Sequence, residues 1–219
     1  MIIKLIKRNR KTSDLVFLQT EGTLIRKKEG KLGRPMSFSS TLNCGTDEKL
    51  DPEFRMQVDE YISRGYIECD SDVVEFEVFD KAKWHINNSF PKELNLFQSY
   101  VPTGFYVGWL VIRDLISDEV KSENKLAIDD FVNKKMTSVE FYKSQLDGVF
   151  CTNDVCYNGY QFTKFYFDFE KGKYLIDFEN LFAKHLPTLF HVVDSLGNFE
   201  KICRLLDTKY AEWKIEFQN

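Results

Sequence analysis

The chain has 219 residues, 43% of them apolar and 15% aromatic, with a formal net charge of −4. That much apolar material excludes an intrinsically disordered chain and is enough for one large core or two small ones. No apolar run reaches the roughly 18 to 20 residues of a membrane helix, and the opening MIIKLIKRNRK lacks the long apolar region and small-residue cleavage site of a secretory signal, so a cytoplasmic protein without a membrane partner is expected.

Charge divides the chain more sharply than its net value. Residues 1–46 hold ten Lys and Arg against three Asp and Glu, leaving 20 basic and 31 acidic residues for the remainder. Two pieces with different partners follow as an expectation, a basic first part and an acidic second one.

In chain order, IIKLIK, DLVFLQTEGTLIRKK and RPMSFSSTL alternate imperfectly and are separated by turn-rich NRKTSD and EGKLG. They predict three antiparallel strands. In LDPEFRMQVDEYISRGY, Asp51 is placed to cap a helix, Pro52 to open it and Gly65 to end it. Phe54, Val58, Tyr61 and Ile62 recur at spacings of three and four, so this helix should lie across the small sheet. DVVEFEVF reads as a further strand, and the acidic ECDSD before it as the seam between two parts.

From Tyr100 the pattern turns helical. PTGFYVGWLVIRDLI is apolar on nearly all sides, as a central buried helix is. Gly104 and Gly108, four apart on it, suit close helix packing rather than a phosphate loop. KLAIDDFVNKKM and TSVEFYKSQL follow, the latter opening with Thr137 and Glu140 in a capping-box pattern. The aromatic run GYQFTKFYFDFEKGKYLIDFENLFAKHL fits one helical face through Phe162, Phe165, Tyr166 and Phe169, with a turn at Lys171 and Gly172. A last helix, started by Asn198, carries Phe199, Ile202, Leu205, Leu206, Tyr210 and Trp213 on one stripe. The 20 phenylalanines are therefore expected mostly in cores.

Few residues point to chemistry. Five scattered cysteines suggest reduced thiols, and neither a second cysteine pair nor a histidine pair accompanies Cys151 and Cys156, so no metal or other cofactor is expected. There is no Gly-rich nucleotide fingerprint, no G-x-S-x-G and no H-E-x-x-H. His185 and His191 lie six apart across a proline, off any common helical face. In FDKAKWHINNSF, by contrast, Trp84 stands beside His85, with Asp80 upstream and a polar turn behind. An Asp-His pair can orient an imidazole for proton transfer, but a nucleophile or second carboxylate is also needed. The same residues suit a buried hinge or a partner-binding surface. The basic run Arg26, Lys27, Lys28, Lys31 and Arg34 could hold phosphates, or form a solvated hairpin tip.

Two stretches carry resemblances. From about Asp14 to Glu68, the strand pieces followed by a helix ending in RGYIE resemble a WGR domain, although the Trp-Gly-Arg signature itself is missing and only LGR at Leu32 to Arg34 or RKKEG at Arg26 to Gly30 lies near its expected place. The best-known members bind DNA ends, which implies nucleic-acid binding by the basic strands. From about Val78 onward, FDKAKWH, FPKEL, PTGFYVGWLVIRDLIS, TSVEFYKSQLDGVF and LPTLFHVVDSLGNFEKICRLLDTKYAEWK are similar to an uncharacterised bacterial domain family. Members of the kind found beside polymorphic toxins imply an immunity-type binder. In that context Asp80, Trp84 and His85 begin the helical domain and are expected to tie it to the central helix through Trp109.

The expectation is an α+β protein with a WGR-like antiparallel sheet plus helix over 1–72 and a mainly helical domain over 73–219. Its function is expected to be non-catalytic: a cytoplasmic protein-binding module of the immunity type, with a cognate toxin as partner. Nucleic-acid binding through the N-terminal part is the alternative, and an enzyme centred on Asp80 and His85 is a third.

Overall fold

The computed structural model describes residues 1–8, 13–69, 73, 75–167 and 172–217. It has two compact units, Met1–Glu77 and Val78–Asn219. The first is a small sheet with a helix and the second is mainly helical, so the fold class is α+β.

The first unit contains five strands: β1 (Ile2–Arg8), β2 (Ser13–Glu21), β3 (Leu24–Lys31), β4 (Phe38–Asn43) and β5 (Ile67–Glu68). Their order is β4-β3-β2-β1-β5, with every pair antiparallel. The stretch DLVFLQTEGTLIRKK, expected as one strand, is a hairpin. Gly22 turns it at φ 55°, a left-handed conformation that glycine adopts without a Cβ penalty. A break at Gly22 keeps Val16, Leu18 and Ile25 on one face, where they meet Leu5 and the helix residues Phe54, Val58 and Tyr61 in a single core.

That helix, α1 (Asp47–Ser63), begins five residues before the expected start, with Thr46 rather than Asp51 at its N-cap position. Asp47 and Glu48 in its first turn favour the positive end of the helix dipole. Pro52 is thus inside the helix, where its missing N–H forgoes a bond to the Glu48 carbonyl. Gly65, at φ 87°, follows the last turn as expected. Ile62, expected on the buried face, is 48% exposed.

In the second unit, β6 (Val78–Lys81) pairs antiparallel with β7 (Val149–Cys151). Only the end of DVVEFEVF is therefore strand; Asp72 and Val74 lie outside the described residues. The helices are α2 (Val101–Ile112), α3 (Asp118–Glu123), α4 (Lys125–Val132), α5 (Ser138–Gln145), α6 (Tyr157–Tyr166), α7 (Tyr174–Phe178) and α8 (Leu196–Phe217). Among the described residues, no helix is long and apolar enough to cross a membrane.

Helix α2 is buried from Val101 to Val111, and its two glycines let α5 pack directly on it. A Cβ at 104 would stand 2.8 Å from Val139 Cα, and one at 108 only 2.2 Å from Ser138 Cβ. The capping box at the start of α5 is formed: Thr137 Oγ1 accepts from Glu140 N–H, and Thr137 N–H donates to the Glu140 carboxylate. Helix α8 begins at Leu196, two residues before the expected Asn198, because the Ser195 hydroxyl accepts from Asn198 N–H and so caps it.

Aromatic rings fill this core as expected. The Tyr106 ring centre is 4.5 Å from Phe167, 5.1 Å from Tyr174 and 5.8 Å from Trp109. Their polar tips are satisfied: Tyr174 donates to the Pro102 carbonyl and Tyr142 to that of Gly148, both buried. Phe162 and Tyr166 point into the same core from α6, whereas Phe165 is only partly buried. Phe169 and Lys171 lie outside the described residues.

Candidate functional site

Of the residues singled out in sequence, Asp80 and His85 come together. Asp80 ends up in β6, 1% exposed, with both carboxylate oxygens engaged. His85 Nε2 lies 2.8 Å from Oδ1, and the Thr103 hydroxyl of α2 donates to Oδ2 across 2.6 Å. The tie to the central helix is therefore Thr103 and not Trp109, whose indole N–H donates to Asp207 instead.

The turn between Asp80 and His85 is pinned at its middle. Ala82 N–H donates to the Gly148 carbonyl at 2.9 Å, the acceptor also used by Tyr142. His85 N–H closes a 3₁₀ turn onto the Ala82 carbonyl, and the imidazole faces Phe190 with ring centres 5.7 Å apart. Trp84, on this braced turn, is left 53% exposed, with the Lys81 ammonium 5.4 Å from its ring. Asp80 and His85 thus form a joint, and Trp84 is the part of the motif that faces outward.

The other histidines are placed differently. His191 contacts the Thr188 hydroxyl through Nδ1 at 2.9 Å and Glu93 through Nε2 at 3.3 Å, while His185 is exposed. All five cysteines are free thiols. Among the described residues no group of three or more His, Cys, Asp or Glu side chains is arranged to hold a metal ion.

Asp154 was not legible as a special residue, yet it is buried between Cys151 and the helical layer. Burial pushes its carboxyl up to about 6, against the opposing effect of the bond it accepts from Cys151 N–H. Burial, with the nearby Asp154 carboxylate, likewise raises the Cys151 thiol to about 12. A thiol held that far up is a poor nucleophile at neutral pH.

The basic run is split by the pleat of β3. Lys27 points to the helix side, where its ammonium meets the Tyr61 hydroxyl at 3.0 Å and Glu29 at 3.3 Å. Burial opposes ionisation of Glu29, but the Tyr61 hydroxyl and Lys27 outweigh it and hold the carboxyl below its usual range. Arg26 and Lys28 lie on the opposite face, both over the Phe38 ring. Arg26 Nε is 2.9 Å from Glu21 in an ion pair too bent for a hydrogen bond, and Lys28 pairs with Glu75 at 3.2 Å. Lys31 and Arg34 are exposed at and beyond the end of the strand. The five cations do not share one face.

Charge also distributes differently over the observed units. Val78–Asn219 carries 17 Lys and Arg against 20 Asp and Glu, a balance of −3, and Met1–Glu77 carries 13 against 14. The acidity expected of the helical part is instead concentrated in residues 47–77, with 11 acidic and three basic residues, including exposed Asp47, Glu48, Asp51, Asp59 and Glu60 on α1.

Residues 78–192 match a protein family described as Domain of unknown function (DUF7832). The chain belongs to this family. No curated protein and no solved structure matches it. The DUF7832 match begins at the first residue of the helical unit and takes in the Asp80, His85 and Thr103 joint, but stops before α8. That helix nevertheless belongs to the same core, since Phe162 within the match packs 5.1 Å from Tyr210 and 5.6 Å from Trp213 beyond it.

Proposed function

We propose that the chain is a non-catalytic protein-binding module of the immunity type, which neutralises a toxin by covering its active site. The observation that carries this reading is the presentation of Trp84. A half-exposed tryptophan on a turn braced by the Asp80–His85 and Ala82–Gly148 bonds has little conformational entropy left to lose, which suits an interface anchor. Asp80 and His85 support the anchor rather than touch the partner. Both oxygens of Asp80 are already committed to internal partners, which argues against a proton-transfer role for the pair. The exposed carboxylates of α1, in the first unit, would speed association with a basic partner through charge complementarity.

Nucleic-acid binding through the basic strands, implied by the WGR resemblance, has less support. Arg26, Lys27 and Lys28 each have a carboxylate within 4 Å, and they divide between the two faces of β3.

A pull-down of the tagged chain from its native lysate, with and without nuclease, tests the two against each other. The expected result is a stoichiometric protein that survives nuclease, is toxic when expressed alone and is neutralised by co-expression of this chain. Trp84→Ala is expected to weaken that complex roughly tenfold or more, in line with a hot-spot aromatic. Recovery of nucleic acid, with accompanying proteins lost after nuclease, would overturn the proposal.

A further inference from the structure

The sheet of the first unit has two unlike edges. At one, β5 is only two residues long; at the other, β4 runs over six residues, all exposed, and no further strand pairs with it among the described residues. Edge strands are ordinarily protected by charge, proline or shortness. Strand β4 has none of these, since residues 35–46 include no Asp, Glu, Lys or Arg and Pro35 lies before the strand. Cys44 N–H donates to the Thr23 carbonyl at 2.9 Å, and Leu42 stands opposite Ile25. Antiparallel alternation therefore directs the main-chain N–H and C=O of Thr41 and Asn43 away from β3, as open hydrogen-bonding positions.

A groove of about 440 Å³ runs beside this edge, walled by Leu42, Asn43 and Cys44 on one side and by α1 on the other. Leu42 is 42% exposed and Met56 of α1 is 58% exposed, and with Pro52 they give the groove an open apolar wall. The strand side has no charge. The helix side has Glu48 and Glu53 against Lys49, and α1 as a whole carries six carboxylates against two cations. Glu53 accepts from the Gln57 amide, and neither Glu48 nor Glu53 is in an ion pair among the described residues.

We propose that the β4 edge and α1 together bind an extended basic peptide segment of a partner protein. Its main chain adds as a strand beside residues 41–43, an apolar side chain enters between Leu42 and Met56, and a Lys or Arg meets Glu48 and Glu53. Charge favours this occupant over a second copy of the chain. Edge-to-edge pairing of two β4 strands would set two α1 helices on one face of the joined sheet, each with its excess of carboxylates. The site does not depend on the toxin reading, which rests on Trp84 in the other unit.

The experiment is an NMR titration of the ¹⁵N-labelled full chain with the blocked peptide Thr-Lys-Thr-Val-Thr-Lys-Thr and, separately, with its counterpart carrying Glu for both Lys. Saturable shifts are expected at amides of residues 40–44 and 48–56, with the lysine peptide binding roughly tenfold or more tightly than the glutamate one, as charge-assisted contacts predict. Thr41→Pro, which removes an outward N–H and leaves the bonds to β3, is expected to weaken binding at least roughly tenfold. Glu48→Gln/Glu53→Gln, at surface positions, is expected to bring the lysine peptide down toward the glutamate one. Trp84→Ala should bind the peptide as wild type does, which separates this site from the toxin reading. Absence of saturable shifts up to about 1 mM lysine peptide would overturn the proposal. So would equal binding of the two peptides, binding unchanged in both groove variants, or a dimer of the free chain that Thr41→Pro dissolves.

Discussion

Trp109 Nε1 donates to Asp207 Oδ1 across 2.9 Å, joining two residues that are 98 positions apart. The indole is fully buried, and Asp207 is the acceptor that satisfies its N–H. Asp207 also receives both the Nε and one terminal nitrogen of Arg113, each at 2.6 Å. One carboxylate on α8 thereby closes the end of α2, although α8 lies outside the residues that define the family match.

Asp207→Ala is expected to destabilise the helical unit by about 1–3 kcal/mol, chiefly through the orphaned indole N–H. The Arg113 pair adds little, because both partners are substantially exposed and screened by solvent. Urea unfolding followed by tryptophan fluorescence measures the loss. Asp207→Asn, which keeps an acceptor for Trp109, should recover part of it.

The packing of α5 on α2 gives a contrast between glycines. Gly108→Ala places a Cβ 2.2 Å from Ser138 Cβ and is expected to cost about 1–3 kcal/mol, as overpacking does. Gly104→Ala meets the Val139 backbone at 2.8 Å and should cost a similar amount. Gly197, in α8, has nothing within 4 Å of an added Cβ. Gly197→Ala is therefore expected to stabilise by up to about 1 kcal/mol through helix propensity. Thermal unfolding of the three variants side by side should separate them by sign.

Asp154 gives the helical unit a dependence on pH. Its carboxyl is raised to about 6 in the folded chain by burial, so the folded state binds a proton more tightly than the unfolded state does. Ionising it costs stability that is absent below about pH 4 and fully expressed above about pH 6, up to about 3 kcal/mol. Stability should accordingly fall as pH rises through this window. Asp207 acts in the opposite sense: its carboxyl is lowered by the bond from Arg113, so its contribution is present above about pH 4 and lost as pH falls further. Comparing unfolding midpoints at pH 4.5 and 7 for wild type and Asp154→Asn isolates the first effect. The variant is expected to show a flatter profile, since an amide oxygen can still accept from Cys151 N–H.

Local patterns made much of this architecture legible, and long-range partners did not. The buried helix from Val101, the Thr137–Glu140 capping box and the glycine pair facing α5 all follow from residues close in sequence. The hairpin between β2 and β3 was hidden because TEGT interrupts an otherwise continuous apolar and basic run, and only the left-handed Gly22 reveals the turn. The start of α1 was misplaced because Asp51-Pro52 is a strong local helix-opening signal, and the earlier Thr46-Asp47-Glu48 competes with it successfully. The motif around Asp80 was visible as a cluster, but its meaning depends on Thr103 and Gly148, neither of which carries a local signal. Asp207 as the partner of Trp109 had no sequence signature at all.

The reading of Asp80 and His85 as a joint is tested most directly by equilibrium urea unfolding of Asp80→Ala beside the wild-type chain. Removing the carboxylate leaves the buried Thr103 hydroxyl and His85 Nε2 without the acceptor they share, so a loss of about 3 kcal/mol is expected. His85→Ala, which leaves Asp80 bonded to Thr103, should lose less. An Asp80→Ala chain as stable as wild type, within about 0.5 kcal/mol, would contradict the structural role and return the pair to consideration as a reactive centre.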